Sequence, residues 1–436
     1  MPKSGRAAGP HEVADPARSR VLRPRHADRL GRWLVYAGVV TSETAPAPGT
    51  RPRNRREITL RAASRLFAQN GYASVSMQDI AQATNVSPMA IYKHFPSKSA
   101  ILASAIREGI DLYAAEIRSA EDRGVISLAD LHAVLNSLAT IALQRREWGL
   151  LWQRELRNLD QTEQQALRAE LRELTARVSS VATDVRPDLS AQSSDLLAWC
   201  VMGALVSVGF HSLSLPRGRY EVLLANIASR VLDAKVGFSG DFVRPERHAS
   251  PVSESRRNSL VTHATELFAE RGYAAVGVDD IGEAVGIAGP SVYHHFADKQ
   301  SILAESIQRG IDGLRENLGS SLHVDENPTS TIKRLLGALI DFAIADRFVV
   351  RVVFSELDQL DPAAREIAAG QLRKFIDQGS QLLVEIVPQE RIEARVKVLA
   401  VIRVIGEATQ TPHLRDQPGL SADLFQVALA MLEVPA

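Results

Sequence analysis

VSPMAIYKHFPSK, residues 86–98, returns 201 positions later as IAGPSVYHHFADK, residues 287–299. Tyr92 falls on Tyr293, His94 on His295, Phe95 on Phe296 and Lys98 on Lys299. A Tyr-x-His-Phe-x-x-Lys pattern repeated at one fixed spacing marks an internal duplication. The segments before the first copy are helical in pattern. Ile58, Ala62, Ala63, Leu66 and Phe67 share one face of a helix beginning at Arg55, and Gly71 stops it. Ser76, with Asp79 three residues on, predicts a capping box opening a second helix whose Ile80 and Ala83 face inward. Asn85 suits a tight turn, Ser87 caps a third helix, and Pro88 occupies its first turn, where a missing N–H does no harm. Three short helices joined in this way predict a helix-turn-helix.

The stretch from AASRLFAQNGYASVSMQDIA through SPMAIYKHFPSKSAIL, and again from ATELFAERGYAAVGVDDIG through GPSVYHHFADKQSIL, resembles the TetR (tetracycline repressor) family of bacterial one-component regulators. The resemblance implies an all-α chain of two TetR-like halves. Each would hold a three-helix DNA-binding unit and, beyond a long fourth helix, a helical ligand-binding and dimerisation domain. The remaining pattern agrees. A helix from 97 to about 122 carries Ile101, Leu102, Ala105, Ile106 and Leu112. Others follow near 128–144, 148–158, 162–183, 190–212 and 220–234, with breakers at Gly124, Pro187 and Pro216, and nothing reads as a strand. The register of 201 persists through this region, placing Glu155-Leu156 on Glu356-Leu357 and Pro187 on Pro388, so the whole subunit is duplicated. The predicted organisation is a flexible basic arm (1–50), a DNA-binding unit (51–98), an effector domain (99–236), a Gly/Ser/Pro-rich linker (237–255), a second DNA-binding unit (256–299) and a second effector domain (300–436).

The totals exclude several other classes. Basic and acidic residues balance at 51 each, so any footprint for DNA must be local. The single cysteine, Cys200, rules out an intrachain disulfide framework and lies in an apolar run that reads as core. There is no signal-peptide pattern and no run of the roughly 18 apolar residues that a membrane span requires, which predicts a cytoplasmic protein with no membrane partner. No metal-spaced His/Cys cluster, phosphate-binding glycine loop or nucleophile motif is present, so no catalytic residue, metal or cofactor is expected.

In the family pattern the helix-three tyrosine, the histidine after it and the lysine opening helix four contact phosphate. The resemblance therefore assigns this role to Tyr92, His94 and Lys98, and to Tyr293, His295 and Lys299. A cation at a helix N-terminus opposes the helix dipole, so the two lysines read as held by an external anion. The family's base-reading positions fall on Gln78, Pro88, Met89, Ala90 and Lys93, beside the cap Ser87, and on Asp279, Gly289, Pro290, Ser291 and His294. The two sets differ throughout, so the units are not expected to prefer one half-site. Residues 55–98 hold six basic and two acidic side chains, net +4, whereas residues 256–299 hold four and six, net −2. Phosphate neutralisation dominates nonspecific affinity, so the first unit is expected to lead. Gly277 and Ala288 replace the capping hydroxyls of Ser76 and Ser87, each at about 0.5 to 1 kcal/mol of local helix stability.

For the effector domains, Trp148 and Trp152 stand one helical turn apart and can line an apolar pocket; Glu155, with Arg154 or Arg157, can orient a polar ligand end; Trp199 lies in the same region. Core packing and solvated ion pairs are the plainer alternatives. Val349 and Val353 stand at the tryptophan positions of the second half, so two different pockets are expected. The family implies a small, often hydrophobic effector, and dimerisation through the last two helices of each subunit. Here those helices predict an intrachain pseudo-dimer on double-stranded DNA, or a homodimer of chains displaying four units. The functional expectation is a ligand-responsive transcriptional regulator, with a ligand-binding or scaffolding protein that has lost specific DNA binding as the alternative.

Overall fold

The computed structural model describes residues 54–124, 127–237, 255–319 and 327–435; the predicted basic arm and nearly all of the predicted linker lie outside them. All regular elements among the described residues are helical. The first half comprises α1 (Arg55–Asn70), α2 (Met77–Ala83), α3 (Pro88–Tyr92), α4 (Lys98–Arg123), α5 (Leu128–Gln144), α6 (Glu147–Leu150), α7 (Gln161–Val185), α8 (Ala191–Val206) and α9 (Arg217–Leu232). The second comprises α10 (Arg256–Arg271), α11 (Val278–Ala284), α12 (Gly289–Val292), α13 (Lys299–Gly319), α14 (Pro328–Ala345), α15 (Arg347–Glu356), α16 (Pro362–Ile386), α17 (Arg391–Gln410), α18 (Pro412–Arg415) and α19 (Leu420–Leu432). Shifted by 201, α1, α2 and α7 coincide end to end with α10, α11 and α16. The duplication thus spans effector regions as well as DNA-binding units.

Local chemistry sets these boundaries. Ser97, Ser127, Asp160 and Ser190 cap α4, α5, α7 and α8, each accepting the backbone N–H three residues on. Gly71 ends α1 at φ 78°, ψ 146°, and Gly272 ends α10 at φ 84°, ψ 150°. The φ is positive as expected of a terminating glycine, but ψ is extended and not that of a left-handed helical cap. The turn between α2 and α3 uses Asn85 at φ 52°, and its counterpart uses Gly286 at φ 72°.

The halves associate through the helices predicted to do so. α8 and α9 pack on α17 and α19, and one hydrophobic core runs through both effector domains. A local two-fold axis is marked by Gly203 and its own equivalent, Val404: a Cβ at Gly203 would lie 3.4 Å from Val404 Cγ2. At the rim Arg219 reaches Glu390 and Glu393 at 2.8 Å each, and His413 reaches Asp195 at 3.1 Å. Exposed pairs of this kind contribute little, so apolar burial carries the association. The expectation that no run reaches membrane-spanning length is corrected here: Ala191–Phe210 is long and apolar enough to cross a membrane, but it is largely buried, packed on α7, α9 and α17, because it forms the core of the association between halves. Cys200 lies within it, and burial pushes its thiol pKa up, which leaves it unreactive.

Candidate DNA-reading heads and effector cavity

In the first unit Ser76 Oγ accepts from Asp79 N–H at 3.2 Å while Asp79 Oδ2 accepts from Ser76 N–H at 2.7 Å, completing the predicted capping box. Ser87 caps α3 through Ala90 N–H at 3.3 Å. The two short helices then present a continuous exposed surface of Gln78, Ser87, Pro88, Met89, Tyr92, Lys93 and His94, with Ala90 half-buried among them. Met89 is 70% exposed at the centre of this surface. Phe95 and Phe296 are core residues.

The second unit offers a poorer surface. Gly277 keeps only the reciprocal half of the box, its N–H donating to Asp280 Oδ2 at 2.6 Å, and Ala288 supplies no side-chain cap. Asp279, Pro290, Tyr293 and His294 are exposed, and Ser291 and His295 are half-buried. Gly289 is buried beneath Asp279: a Cβ there would sit 1.7 Å from Asp279 Oδ1. The base-reading role expected of Gly289 is therefore corrected, because the Asp279 carboxylate covers it.

The inference that Lys98 and Lys299 require an external anion is corrected, because each ammonium already has two carbonyl acceptors within the chain. Lys98 Nζ donates to the carbonyls of Tyr72 and Val75, both at 2.8 Å, and lies 4.1 Å from the centre of the Tyr72 ring. Lys299 repeats this with Tyr273 at 2.9 Å and Val276 at 2.8 Å, 4.2 Å from the Tyr273 ring centre. Each ammonium pins the loop after the first helix to the start of the fourth, and desolvation lowers its pKa. Lys98→Met is expected to loosen the first head by about 1.5 to 3 kcal/mol, the range for hydrogen bonds to a charged group, without changing the salt dependence of DNA binding. Lys93→Ala, at an exposed site, should reduce the slope of log affinity against log salt by about one. Fluorescence anisotropy across a salt series measures both.

Glu155 is not a ligand-facing residue. It is buried, and its Oε2 accepts from Tyr72 N–H at 3.2 Å and from Asn158 Nδ2 at 2.9 Å. Glu356, its equivalent, accepts from Tyr273 N–H at 3.3 Å. Each effector domain thus grips its own reading head at the same loop that the lysine holds. Burial raises the Glu155 pKa, opposed by the Tyr72 amide and by Arg157 and Arg154. The halves cross here: Arg154 pairs with Asp358 at 2.5 Å, and Arg157 pairs with the fully buried Glu356. Arg154 and Glu155 belong to a π-helical turn, Leu151–Glu155, whose counterpart in α15 is regular α-helix. Such turns recur at functional sites.

The tryptophans fill the space they were expected to line. Trp148 is 5% exposed, donates from Nε1 to Ile106 O at 2.8 Å, and sits on Gly109, where a Cβ would meet its ring at 2.0 Å. Its ring lies 5.4 Å from that of Tyr113 and 6.4 Å from that of Trp152. In the second half Leu314, Val349 and Val353 replace these three aromatics, and beside Gly310, Leu314 and Val353 a cavity of about 130 Å³ opens. The first half completes its wall with Arg154, Ser207, Phe210 and His211. His211 is neutral, its pKa pushed down to about 3 by burial and by Arg146 and Arg395, and its Nδ1 accepts from Leu213 N–H at 3.2 Å. Trp199 lies elsewhere, edge-on to His413 at 5.4 Å across the interface between halves. Among the described residues no three His, Cys, Asp or Glu side chains group to hold a metal.

Comparison with known proteins places this geometry. The family described as "Bacterial regulatory proteins, tetR family" matches residues 60–105 and 260–306, the two reading heads. The transcriptional repressor KstR2 of Rhodococcus jostii is 31% identical over 141 residues, 29% of this chain and 67% of that protein. The transcriptional activator FasR of Mycolicibacterium smegmatis is 30% identical over 101 residues, 23% of this chain and 46% of that protein. For most such relatives the match spans about half of their length. Among solved structures, a tetR-family regulatory protein from Rhodococcus RHA1 aligns over its whole length with 42% of this chain, at 21% identity and a TM-score of 0.38. With two matched heads, two effector domains in one register and a 31% identical relative covered over two thirds of its length, the chain belongs to the tetR family of bacterial regulatory proteins, with the family's DNA-binding unit present twice.

Proposed function

We propose that the chain is a ligand-responsive one-component transcriptional repressor that acts in the cytoplasm and binds operator DNA as a covalent pseudo-dimer. The observation that carries this reading is the pair of exposed recognition surfaces held on one two-fold scaffold within a single chain. The proposed functional divisions are 51–98 and 256–299 for DNA, and 99–236 and 300–436 for effector control. Gln78, Met89, Lys93, Tyr92 and His94 read and grip the first half-site; Asp279, Pro290, Ser291, His294 and Tyr293 meet the second. The first surface dominates, because Asp279 and the net charge of −2 repel phosphate at the second. Relatives carry the names of repressors and of an activator; repression is favoured because an effector cavity wedged between the halves is suited to pulling two heads out of register.

Selection of bound sequences from random DNA tests the proposal. An asymmetric site is expected, its halves about 34 Å apart along the duplex. A symmetric palindrome would refute the pseudo-dimer, and no enrichment at all would favour the scaffolding alternative. Light scattering should return a single chain of 47.6 kDa on its own; twice that mass would support four displayed units.

A further inference from the structure

We infer that the second-half cavity is a site for a small apolar carboxylate, held by Arg154 and Arg403, and that this one ligand addresses both reading heads. The last clause rests on the regulator reading; the site itself does not.

The wall of the cavity carries the argument. Its only charged side chains are Arg154, from the first half, and Arg403, from the second. Their partners Asp358 and Glu407 lie outside the lining. Each guanidinium has an Nε that is buried and unpartnered. The Arg403 side chain is 4% exposed and stacks on the Phe210 ring at 3.9 Å. Arg154 is bonded to Asp358 through one carboxylate oxygen, and the other, Oδ1, has no partner. His211 is neutral and the Ser207 hydroxyl is spent on the Ala204 carbonyl at 2.6 Å, so the polar side of the cavity offers cationic donors and the rest is aliphatic and aromatic. A carboxylate accepts only, and it matches the guanidinium fork in two-point geometry. At about 130 Å³ the space compares with the cavity of roughly 150 Å³ that admits benzene in another protein, so the apolar body is a single ring or a chain of about six carbons.

The first half supplies a natural negative. Met202 stands where Arg403 does, Ser355 stands where Arg154 does in the opposite direction of the repeat, and Tyr113, Trp148 and Trp152 fill the volume. One site per chain follows.

The same arginine explains how one ligand reaches two heads. Arg154 directly precedes Glu155, which holds the Tyr72 amide of the first head. Its partner Asp358 follows Glu356 by two residues, and Glu356 holds the Tyr273 amide of the second. A carboxylate that takes Arg154 from Asp358 displaces both grips together.

Isothermal titration of the full chain with benzoate and hexanoate, against benzyl alcohol and hexan-1-ol, tests the site. The expected result is one carboxylate per chain, bound about tenfold or more above the matching alcohol, since charge-assisted bonds are roughly twice as strong as neutral ones. Arg403→Met should erase the preference and Arg403→Lys should keep part of it. Val353→Trp, which imports the first half's plug, should abolish binding with the helical circular dichroism intact. Equal affinity for benzoate and benzyl alcohol overturns the proposal, as does binding that survives Val353→Trp. Hydrogen exchange then reads the coupling: benzoate should speed exchange of the Tyr72 and Tyr273 amides alike, and no change at either sinks the two-head clause. Benzoate binding in a chain that selects no DNA would count against the regulator reading alone, whereas DNA binding without carboxylate preference would count against this site alone.

Discussion

Trp148→Ala is expected to destabilise the chain by about 3 to 5 kcal/mol, the range for removing a buried large aromatic. Three losses coincide at this residue. The indole leaves the hollow above Gly109, where its ring supplies the three nearest atoms. The tilted contacts with Tyr113 and Trp152 disappear, each of a kind contributing about 0.5 to 1.5 kcal/mol beyond area. The Ile106 carbonyl loses the indole N–H. At about 2 to 4 °C per kcal/mol for a unit of this size, calorimetry should find the first transition lowered by roughly 6 to 20 °C. Trp148→Val, the residue of the second half, should cost less and open a cavity without an arginine in its wall. That cavity should take toluene and benzoate without preference for the anion. A melting shift below about 3 °C for the alanine variant would mean that the surroundings collapse to fill the hole, and the account of a plugged first pocket would fail.

The helix-turn-helix units and their caps are legible because each is written in local spacing, whereas the helices that join the halves follow from the family resemblance and not from spacing. Ser76 and Asp79 are three residues apart, so the box can be read from the string itself. What could not be read depends on residues brought together from far along the chain. Trp148 and Trp152 are the same string whether they line a pocket or fill it; the deciding partner is Gly109, on a different helix. For Lys98 the local sequence shows only a cation at a helix N-terminus; the Tyr72 and Val75 carbonyls that hold it lie more than twenty residues away. Glu155 lies 83 residues from the amide it holds, and Arg154 and Arg403 come from opposite halves. One signal was nevertheless available. Lys98/Lys299, Glu155/Glu356 and Gly109/Gly310 are identical in both copies and turn out to perform the same internal task twice. Positions that changed between copies, such as Trp148/Val349, Trp152/Val353 and Met202/Arg403, mark where one cavity was filled and the other opened.

Arg157→Ala should have the second large effect, at roughly 3 kcal/mol, the lower end of the range for stripping one partner from a buried ion pair. Glu356 has no exposed surface and would keep only Ser355 Oγ at 2.9 Å and the Tyr273 N–H at 3.3 Å. The lower end applies because the half-buried Arg351, held below its usual pKa by desolvation and then by Arg157, lies near enough to take up some of the freed charge. The substitution should also reach DNA, because the Arg157 guanidinium packs against Gly272 at the end of α10, where a Cβ would come within 2.5 Å of it. Removing it leaves the second head tied to the scaffold through an uncompensated carboxylate. Urea unfolding should therefore show the loss, and footprinting should show weaker protection of the second half-site than of the first. Adding Glu356→Gln removes the stranded charge while retaining an acceptor for Tyr273, so the double variant should recover most of the stability and part of the protection. Arg172→Ala, on an exposed face of α7, sets the baseline: if Arg157→Ala is no worse than this control, the crossed ion pairs are ornamental and the heads are held by apolar packing alone.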